Sequence, residues 1–444
     1  MIRTDSRKVR KGDIFVALPG IKSDGHDYVY DAIRNGASSV VVTHGNYDVD
    51  TIIVSDTRKY LEDYVLTNYS NIIDNMVIIG VTGTNGKTTV SHLIYQSLNK
   101  LGVKCSMIGT LGYYKNNKIC DLYNTSPDLA VMYELLVDSY NSGYKCVVVE
   151  ASSQGLYENR FFGIRFDYAL FTNISQDHLD YHKDFKHYVA AKNKLFLQLK
   201  KDGIGIVNGD DSYSSSFLCD NRITYGFGEC DYRVLCFSDG SFDFSHGDIY
   251  KIFHNLVGRY NVYNLMCCIV LLESMGFKYE QYSSIFKAVS SPKGRMEVYN
   301  YMDNRIIVDY AHTPDAIKNV ISSIDNYNKI YAVFGCTGNR DRLKRPIMTK
   351  ILVEACDYVI ITSDDLYDES FDSIVSDMTN GINYSNYCIC RDRGLAIEKG
   401  ISLLDSNDVL LVLGKGHEEF IKIGFERIPF NDGKFILDFI SKSI

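Results

Sequence analysis

The segment from Val77 to Val90 constrains this chain most, because it joins a buried-type strand, a glycine turn and the start of a helix. The turn consists of seven residues, Gly83, Thr84, Asn85, Gly86, Lys87, Thr88 and Thr89. Glycines in such a turn let backbone N–H groups surround phosphate oxygens, and the N-terminus of the helix adds a partial positive charge. They predict a loop that binds the phosphates of ATP, with Lys87 at the β and γ phosphates and the Thr88 hydroxyl on Mg²⁺.

The bulk properties are those of an ordinary globular protein. A chain of 444 residues is too long for one core and predicts about two to four domains. Its net charge of −8 argues against a broad nucleic-acid surface. The 12 cysteines are scattered without a CxxC pair, which indicates reduced thiols rather than a zinc site. The polar N-terminus and the lack of a long apolar run predict a cytoplasmic protein with no membrane partner.

The sequence divides into three α/β segments, predicted as domains at residues 1–75, 76–294 and 295–444. The first is a small α/β unit. In the second, strands alternate with helical stretches, as a mainly parallel sheet with crossover helices requires. In the third segment, strands and helices alternate as in a Rossmann-like α/β domain. The strands predicted in the first and third segments cover residues 13–17, 39–42, 52–54, 306–309, 330–334, 358–362 and 409–413.

Two polar residues near strand ends of the second segment are candidates for binding a metal ion. Glu150 ends a predicted strand at 145–150, and His178 follows the next one at 168–173. Ligands bind beyond the carboxyl ends of parallel strands, where a carboxylate can hold the metal of a bound nucleotide. Either residue alone is better explained as an exposed polar side chain. Beside the phosphate loop, the pair predicts a metal site.

Eight motifs in one order resemble those of the Mur ligases, and within that family the MurE type. They are GTNGKTT at 83–89, EASSQGL at 150–156, TNISQDHLDYH at 172–182, AAKNKLF at 190–196, GRYNVYN at 258–264, VDYAHTPD at 308–315, GCTGNRDR at 335–342 and GKGHE at 414–418. The resemblance implies an ATP-dependent ligase of peptidoglycan precursor synthesis for the cell wall. Such an enzyme joins a free amino acid to UDP-N-acetylmuramoyl-L-alanyl-D-glutamate through an acyl phosphate. We expect a monomer.

The resemblance also assigns catalytic roles, beside that of Lys87. Thr88 and Glu150 would serve the Mg²⁺ on ATP, His178 would bind a second metal ion, and Lys192 would carry a carbamate derived from CO₂. An ammonium cannot bind Mg²⁺, whereas a carbamate offers two anionic oxygens. Because CO₂ reacts with a neutral amine, burial or cationic neighbours must lower the pKa of Lys192. The alternative for Lys192 is an ordinary lysine on a helix surface.

The matched positions extend to both substrates. Those near the nucleotide are Asn264 and His312, and those for the UDP-sugar-peptide are Ser6, Thr125, Ser126, Ser152, Glu158 and Arg160. Two residues depart from the family pattern, since Gln154 replaces a histidine and Glu158 replaces a glutamine. Arg160 suits an anionic substrate, whereas Glu158 places a negative charge beside it.

The incoming amino acid is predicted from a loop of the third segment. Arg340, Gly414 and Glu418 match positions that hold its α-amino-acid end. Family members that use meso-diaminopimelate carry Asp-Asn-Pro-Arg where this chain has Asp364, Asp365, Leu366 and Tyr367. With Asp368 and Glu369 these form an acidic loop, which attracts a side-chain ammonium by about 1 to 4 kcal/mol per close pair. The loop therefore favours L-lysine, or another diamine such as ornithine, over meso-diaminopimelate.

Two alternatives stay open. A diverged Mur-type ligase could act on a carboxylate outside peptidoglycan synthesis. A nucleotide-binding protein without ligase activity is the other alternative, although it would not need to keep Glu150, His178 and Lys192 together with Lys87.

Overall fold

The computed structural model describes residues 1–20, 23–175, 177, 181–238, 240–324 and 326–443. The candidate metal ligand His178 lies outside these described residues. The described chain forms three α/β domains, each with its own main sheet. This confirms the predicted fold class.

The N-terminal sheet consists, in the described residues, of four parallel strands in the order β1-β2-β3-β4. The elements of this domain are β1 (Ile2–Arg3), β2 (Ile14–Val16), α1 (Val29–Arg34), β3 (Ser39–Val42), β4 (Asp50–Ile53) and α2 (Thr57–Asp74). The two residues of β1 are too few to show a pattern, and this strand was not predicted. Leu61 and Val65 of α2 share an apolar cluster with Met132 and Leu136, so α2 joins this domain to the next one.

The central sheet has 11 strands within the described part of the chain. The elements of this domain are β5 (Val77–Thr82), α3 (Lys87–Lys100), β6 (Cys105–Gly109), β7 (Gly112–Lys115), β8 (Asn117–Cys120), α4 (Leu129–Asn141), β9 (Cys146–Glu150), α5 (Ser153–Tyr157), β10 (Phe166–Phe171), α6 (Phe185–Leu197), β11 (Leu199–Asn208), β12 (Asn221–Gly226), β13 (Tyr232–Ser238), β14 (Ser241–His246), β15 (Asp248–Phe253), α7 (Arg259–Ser274) and α8 (Tyr279–Tyr282). The spatial order is β15-β14-β13-β12-β11-β10-β5-β9-β6-β7-β8. Helices α3 and α7 pack on one face, and α4 and α6 on the other.

The register of three neighbouring strands positions the site. In the order β10-β5-β9, Val81 pairs with Glu150 and Thr82 pairs with Phe171. All three strands run in parallel, so their carboxyl ends meet at one edge. The strand predicted at 168–173 is β10, which begins at Phe166 and ends at Phe171, and the next two residues, Thr172 and Asn173, hydrogen-bond to the phosphate loop.

The C-terminal sheet has six strands in the described chain, in the order β16-β17-β21-β18-β19-β20. The elements of this domain are β16 (Glu297–Tyr301), β17 (Asn304–Asp309), α9 (Pro314–Ile321), β18 (Ile330–Phe334), α10 (Lys344–Ala355), β19 (Tyr358–Ile361), α11 (Phe371–Met378), β20 (Tyr387–Ile389), α12 (Arg393–Ser402), β21 (Val409–Leu413), β22 (Phe420–Ile423), β23 (Glu426–Pro429) and α13 (Asp432–Ser443). Helices α9, α10 and α11 pack on one face, and α12 and α13 on the other. Strands β22 and β23 form a separate antiparallel hairpin.

No helix among the described residues is both long enough and apolar enough to cross a lipid bilayer.

Candidate active site

The phosphate loop requires glycine at two positions, the first residue of the loop and the residue before α3. Gly83 has φ +148°, and a Cβ atom there would lie 1.9 Å from the Thr172 hydroxyl oxygen. Gly86 has φ +84°, and a Cβ atom there would lie 2.7 Å from the Asn264 side-chain oxygen. The loop is thus confined between two side chains, and a larger residue would displace one of them.

Asn173 fixes the middle of the loop. Its side chain accepts a hydrogen bond from the Asn85 backbone N–H at 3.0 Å and donates to the Asn85 carbonyl at 3.1 Å. Its carbonyl accepts from the Thr84 N–H at 2.8 Å. Asn173 was not among the predicted site residues. Its place as the last, polar residue of the strand predicted at 168–173 was the available signal.

Lys87 folds back over the loop. Its ammonium donates to the carbonyl oxygens of Gly83, at 2.9 Å, and Thr84, at 2.8 Å. Burial lowers the pKa of Lys87, although the negative charges of Glu150 and Asp177 oppose this. The first lysine of α3 therefore lies where it can exchange two carbonyl partners for phosphate oxygens.

Lys192 reaches the same loop from α6. Its side chain is 1% exposed, and its nitrogen donates to the Gly83 carbonyl at 2.6 Å. The nitrogen also lies 4.5 Å from the centre of the Tyr188 ring. Burial, and then the positive charge of Lys87, lowers the pKa of Lys192 far below that of a free lysine. The alternative of an exposed helix-surface lysine is wrong.

Glu150 lies beside Thr88 at the end of β9. The Thr88 hydroxyl donates to the Glu150 carboxylate at 2.9 Å, and Thr110 donates to it through its N–H at 2.9 Å and its hydroxyl at 3.0 Å. Glu150 is 0% exposed, and no ion pair is found for it within the described residues. A buried carboxylate that faces a phosphate loop without a cationic partner fits a divalent cation.

The sugar-peptide candidates of the central domain lie together beyond β9. The Ser126 hydroxyl donates to the Glu150 carbonyl at 2.7 Å and lies 3.0 Å from the Ser152 hydroxyl. The Thr125 hydroxyl lies 3.0 Å from that of Thr110, and Arg160 donates to the Ser126 carbonyl at 2.6 Å. Ser6 lies in the N-terminal domain, where its carbonyl accepts from Asn35 at 2.9 Å.

A cavity of about 130 Å³, here called the C-terminal cavity, opens at the carboxyl ends of the C-terminal sheet. It is lined by all six residues predicted to bind the amino acid, Arg340, Asp364, Asp365, Tyr367, Gly414 and Glu418. It is also lined by His312, which was expected beside the nucleotide. Burial lowers the pKa of His312 to about 4, so its ring is neutral at pH 7.

The acidic loop of this cavity is largely paired within the fold, contrary to the sequence-based interpretation: Asp364, Asp365 and Glu369 have cationic partners, and no ion pair is found for Asp368 among the described residues. Lys415 is 0% exposed, and its ammonium lies 2.8 Å from Asp365 and 2.6 Å from Glu418. The Lys422 ammonium lies 3.4 Å from the other oxygen of Asp365. Glu369 pairs with the buried Arg345 at 2.8 Å.

Carboxylates outnumber cationic side chains around the cavity, although many of them are paired. The five carboxylates that line it are Asp177, Asp341, Asp364, Asp365 and Glu418, and the three cationic side chains that line it are Arg340, Lys344 and Arg345. From outside the lining, Lys415 and Lys422 contact the carboxylates, and Glu369 and Asp377 contact Arg345. Carboxylates that already have ammonium partners give a ligand ammonium little further attraction. The short spacing from Lys415 to Glu418 was a signal in the sequence for an ion pair between them, but no sequence pattern showed that Lys415 is buried.

A second cavity, of about 370 Å³, lies between the central and C-terminal domains and is called here the interdomain cavity. Gly86, Thr89 and Asn264 line it on the central side, and Arg295 and Asp309 line it on the C-terminal side. It thus continues from the end of the phosphate loop. A nucleoside attached to phosphates in that loop would lie here.

Comparison with known proteins agrees with this arrangement. Three family models match consecutive parts of the chain: "Mur ligase family, catalytic domain" at residues 1–73, "Mur ligase middle domain" at 81–272, and "Mur ligase, glutamate ligase domain" at 294–416. The chain belongs to the Mur ligase family. This Mur ligase is an ATP-dependent enzyme that joins an acid to an amino acid.

Its similar relatives are named as UDP-N-acetylmuramoyl-L-alanyl-D-glutamate–2,6-diaminopimelate ligases. One from Clostridium perfringens is 36% identical, over 99% of this chain and 94% of the relative. One from Aquifex aeolicus is 37% identical, over 99% and 93%. A solved structure with the same ligase name covers 100% of this chain and 94% of its own, with a TM-score of 0.67 and 29% identity. The structure of MurF ligase from Thermotoga maritima in complex with ADP shares the fold, with a TM-score of 0.71 and 18% identity.

Proposed function

We propose that this Mur ligase adds a diamino acid to the D-glutamate of UDP-N-acetylmuramoyl-L-alanyl-D-glutamate during peptidoglycan precursor synthesis. The observation that carries the proposal is the convergence of Lys87, Lys192 and the Thr88–Glu150 pair on one phosphate loop. The relatives named above, which cover nearly the whole chain, support the same acceptor.

We further propose 2,6-diaminopimelate as the amino acid. The named relatives speak against the preference for L-lysine that the acidic loop suggested. The physical basis for that preference is also weakened, because Lys415 and Lys422 already neutralise Asp365. A free guanidinium remains at the cavity, since no ion pair is found for Arg340 among the described residues. Arg340 would hold the α-carboxylate of the amino acid.

The reaction proceeds in two steps. The γ-carboxylate of D-glutamate attacks the γ-phosphorus of ATP, and ADP leaves. Lys87 would leave the carbonyls of Gly83 and Thr84 and bind the transferring phosphoryl oxygens, which stabilises their charge. The neutral amine then attacks the carbonyl carbon of the acyl phosphate, the tetrahedral intermediate expels phosphate, and the nitrogen loses a proton to give the amide. Phosphorylation is needed because a carboxylate and an ammonium otherwise form only an unreactive salt.

Two groups implied by the family fit the residues present. Thr88 and Glu150 would serve the Mg²⁺ on ATP, His178 would bind a second metal ion, and a carbamate on Lys192 would add metal-binding oxygens. When bound, Mg²⁺ neutralises charge on the phosphoryl oxygens. The lowered pKa of Lys192 fits carbamate formation, because burial supplies the neutral amine that CO₂ requires. A carbamate would also place a negative charge beside Lys87.

Phosphate release tests the function. The enzyme is supplied with ATP and Mg²⁺, with or without UDP-N-acetylmuramoyl-L-alanyl-D-glutamate, and with meso-diaminopimelate, L-lysine or L-ornithine in parallel. Release that needs both the acceptor and meso-diaminopimelate is the expected result. Release with a different acid would support a diverged ligase, and ATP binding without turnover would support a protein that no longer ligates.

A second experiment tests the carbamate. Protein equilibrated with ¹³C-bicarbonate should show one carbamate signal in the ¹³C NMR spectrum, and Lys192→Met should remove it. Lys186→Met is the matched control, because Lys186 is an exposed lysine on the same helix, α6. A signal that survives in Lys192→Met would contradict the assignment.

A further inference from the structure

The loop that ends at Tyr367 is clamped by the β22–β23 hairpin. The Leu366 N–H donates to the Lys422 carbonyl at 2.8 Å, and the Gly424 N–H donates to the Tyr367 carbonyl at 2.8 Å. The Lys422 N–H donates to the Asp365 carboxylate at 3.0 Å. Backbone pairing on both sides thus fixes where Tyr367 and Lys422 stand relative to each other.

The side chains of these two residues also meet. The Lys422 ammonium lies 3.0 Å from the Tyr367 hydroxyl oxygen and 3.4 Å from the Asp365 carboxylate. Tyr367 lines the C-terminal cavity. It occupies the sequence position at which family members that use meso-diaminopimelate carry an arginine. Lys422 stands behind it and keeps 26% of its side chain exposed.

The direction of the hydrogen bond between them limits what Tyr367 can offer. An ammonium has three donors and no acceptor, so Lys422 must donate to the phenol oxygen. This occupies a lone pair and leaves the phenol O–H as the group to be offered. A phenol that offers its O–H as a donor suits a carboxylate and disfavours an ammonium, which has no acceptor.

We propose that Lys422, acting through Tyr367, selects an amino acid whose distal end carries a carboxylate. Tyr367 makes the contact, and Lys422 is a positioning residue that sets the polarity of the phenol by donating to its oxygen. This inference depends on the proposed function, and it names the part of the chain that recognises the far end of the amino acid. It replaces the acidic-loop interpretation with one based on a lysine outside that loop.

The test compares kcat/KM for meso-diaminopimelate and for L-lysine, which differ in the distal carboxylate. Lys422→Met and Tyr367→Phe should each lower the ratio of the two values by tenfold or more, mainly through the KM for diaminopimelate. Lys422→Arg, which keeps the charge, should retain most of the ratio. Tyr367→Phe removes only one oxygen atom, so it tests the idea even where Lys422→Met folds poorly.

Equal losses with both amino acids would show a structural role and overturn the inference. A wild-type enzyme that prefers L-lysine would overturn it as well. A different result would contradict the proposed function, namely the absence of acceptor-dependent phosphate release with every amino acid. That result would contradict the inference as well.

Discussion

The Glu158 carboxylate accepts two hydrogen bonds from the Arg160 guanidinium, at 2.9 and 2.6 Å. A third hydrogen bond from Arg160 goes to the Ser126 carbonyl at 2.6 Å. The negative charge of Glu158, which the sequence analysis placed near an anionic substrate, is therefore paired with Arg160. Burial raises the pKa of Glu158, but hydrogen bonds from Tyr181, Arg160 and Gln154 outweigh this, and its net pKa is lowered.

Glu158→Gln should strengthen the binding of the UDP-sugar-peptide. Glutamine can still accept from Arg160, while one negative charge beside the substrate disappears. We expect the KM for the sugar-peptide to fall several-fold, as about 1 kcal/mol of relieved repulsion allows in partly exposed surroundings. Initial rates at varied acceptor concentration measure this. Glu280→Gln, an exposed change in the same domain, is the control, and a raised KM in Glu158→Gln alone would contradict the prediction.

Gly86→Ala should impair nucleotide binding, and Gly102→Ala should not. Both glycines have φ +84° and flank α3, so both substitutions carry a similar backbone strain of about 1 kcal/mol. Only at Gly86 would the new Cβ atom meet a neighbour, the Asn264 oxygen, whereas Gly102 has nothing within 4 Å. Calorimetric titration with ATP, together with urea unfolding, separates the two effects. Equal ATP affinities in the two variants would refute the role of Asn264.

Lys192→Met should flatten the pH dependence of stability. The folded-state pKa of Lys192 is lowered, so between that pKa and about 10.4 the unfolded chain binds one more proton than the folded chain. The wild type therefore gains stability as pH rises through this window, by at most about 1.4 kcal/mol per pH unit, and loses it as pH falls. Urea unfolding in CO₂-free buffer at pH 7, 8 and 9 measures this.

The difference between the wild type and Lys192→Met reports Lys192 together with its coupling to Lys87, while the contributions of more distant titrating groups cancel. Lys186→Met, on the exposed side of the same helix, should follow the wild type. If the wild type and Lys192→Met have parallel pH profiles, the amine does not titrate as its burial indicates.

Lys415→Met should destabilise the C-terminal domain strongly. It removes the buried cation between Asp365 and Glu418, at 2.8 and 2.6 Å, and leaves both carboxylates without that partner. Breaking a buried pair in this way costs about 3 to 5 kcal/mol. Urea unfolding at pH 7 measures the loss. Lys350→Met, which removes an exposed lysine paired with Glu354, should cost less than about 1 kcal/mol.

The parts of the fold that follow one local pattern could be predicted from the sequence. Strands β18 and β21 have the predicted bounds, because continuous apolar runs between polar loops mark buried parallel strands. The antiparallel pair β13 and β14 was not predicted, although an Asp-Gly dipeptide at 239–240 separates two alternating segments and is a hairpin signal.

The candidate site was less predictable where charge depends on tertiary contacts. The composition of the loop at 364–369 suggested an acidic surface, because the partners of its carboxylates come from other elements. Arg345 lies on α10, Lys415 follows β21, and Lys422 lies on β22. No pattern within six residues can show that such distant cations neutralise them.

One carbonyl oxygen, that of Gly83, accepts hydrogen bonds from two amines, those of Lys87 and Lys192. The positive charge on Lys87 lowers the pKa of Lys192, and by thermodynamic reciprocity any change of charge at Lys192 acts on Lys87. Binding of a ligand at the phosphate loop and a change of charge at Lys192 would therefore alter each other's free energy. If Lys192 carries the proposed carbamate, its formation would depend on whether a triphosphate occupies the loop, and the affinity for the triphosphate would depend on the concentration of CO₂.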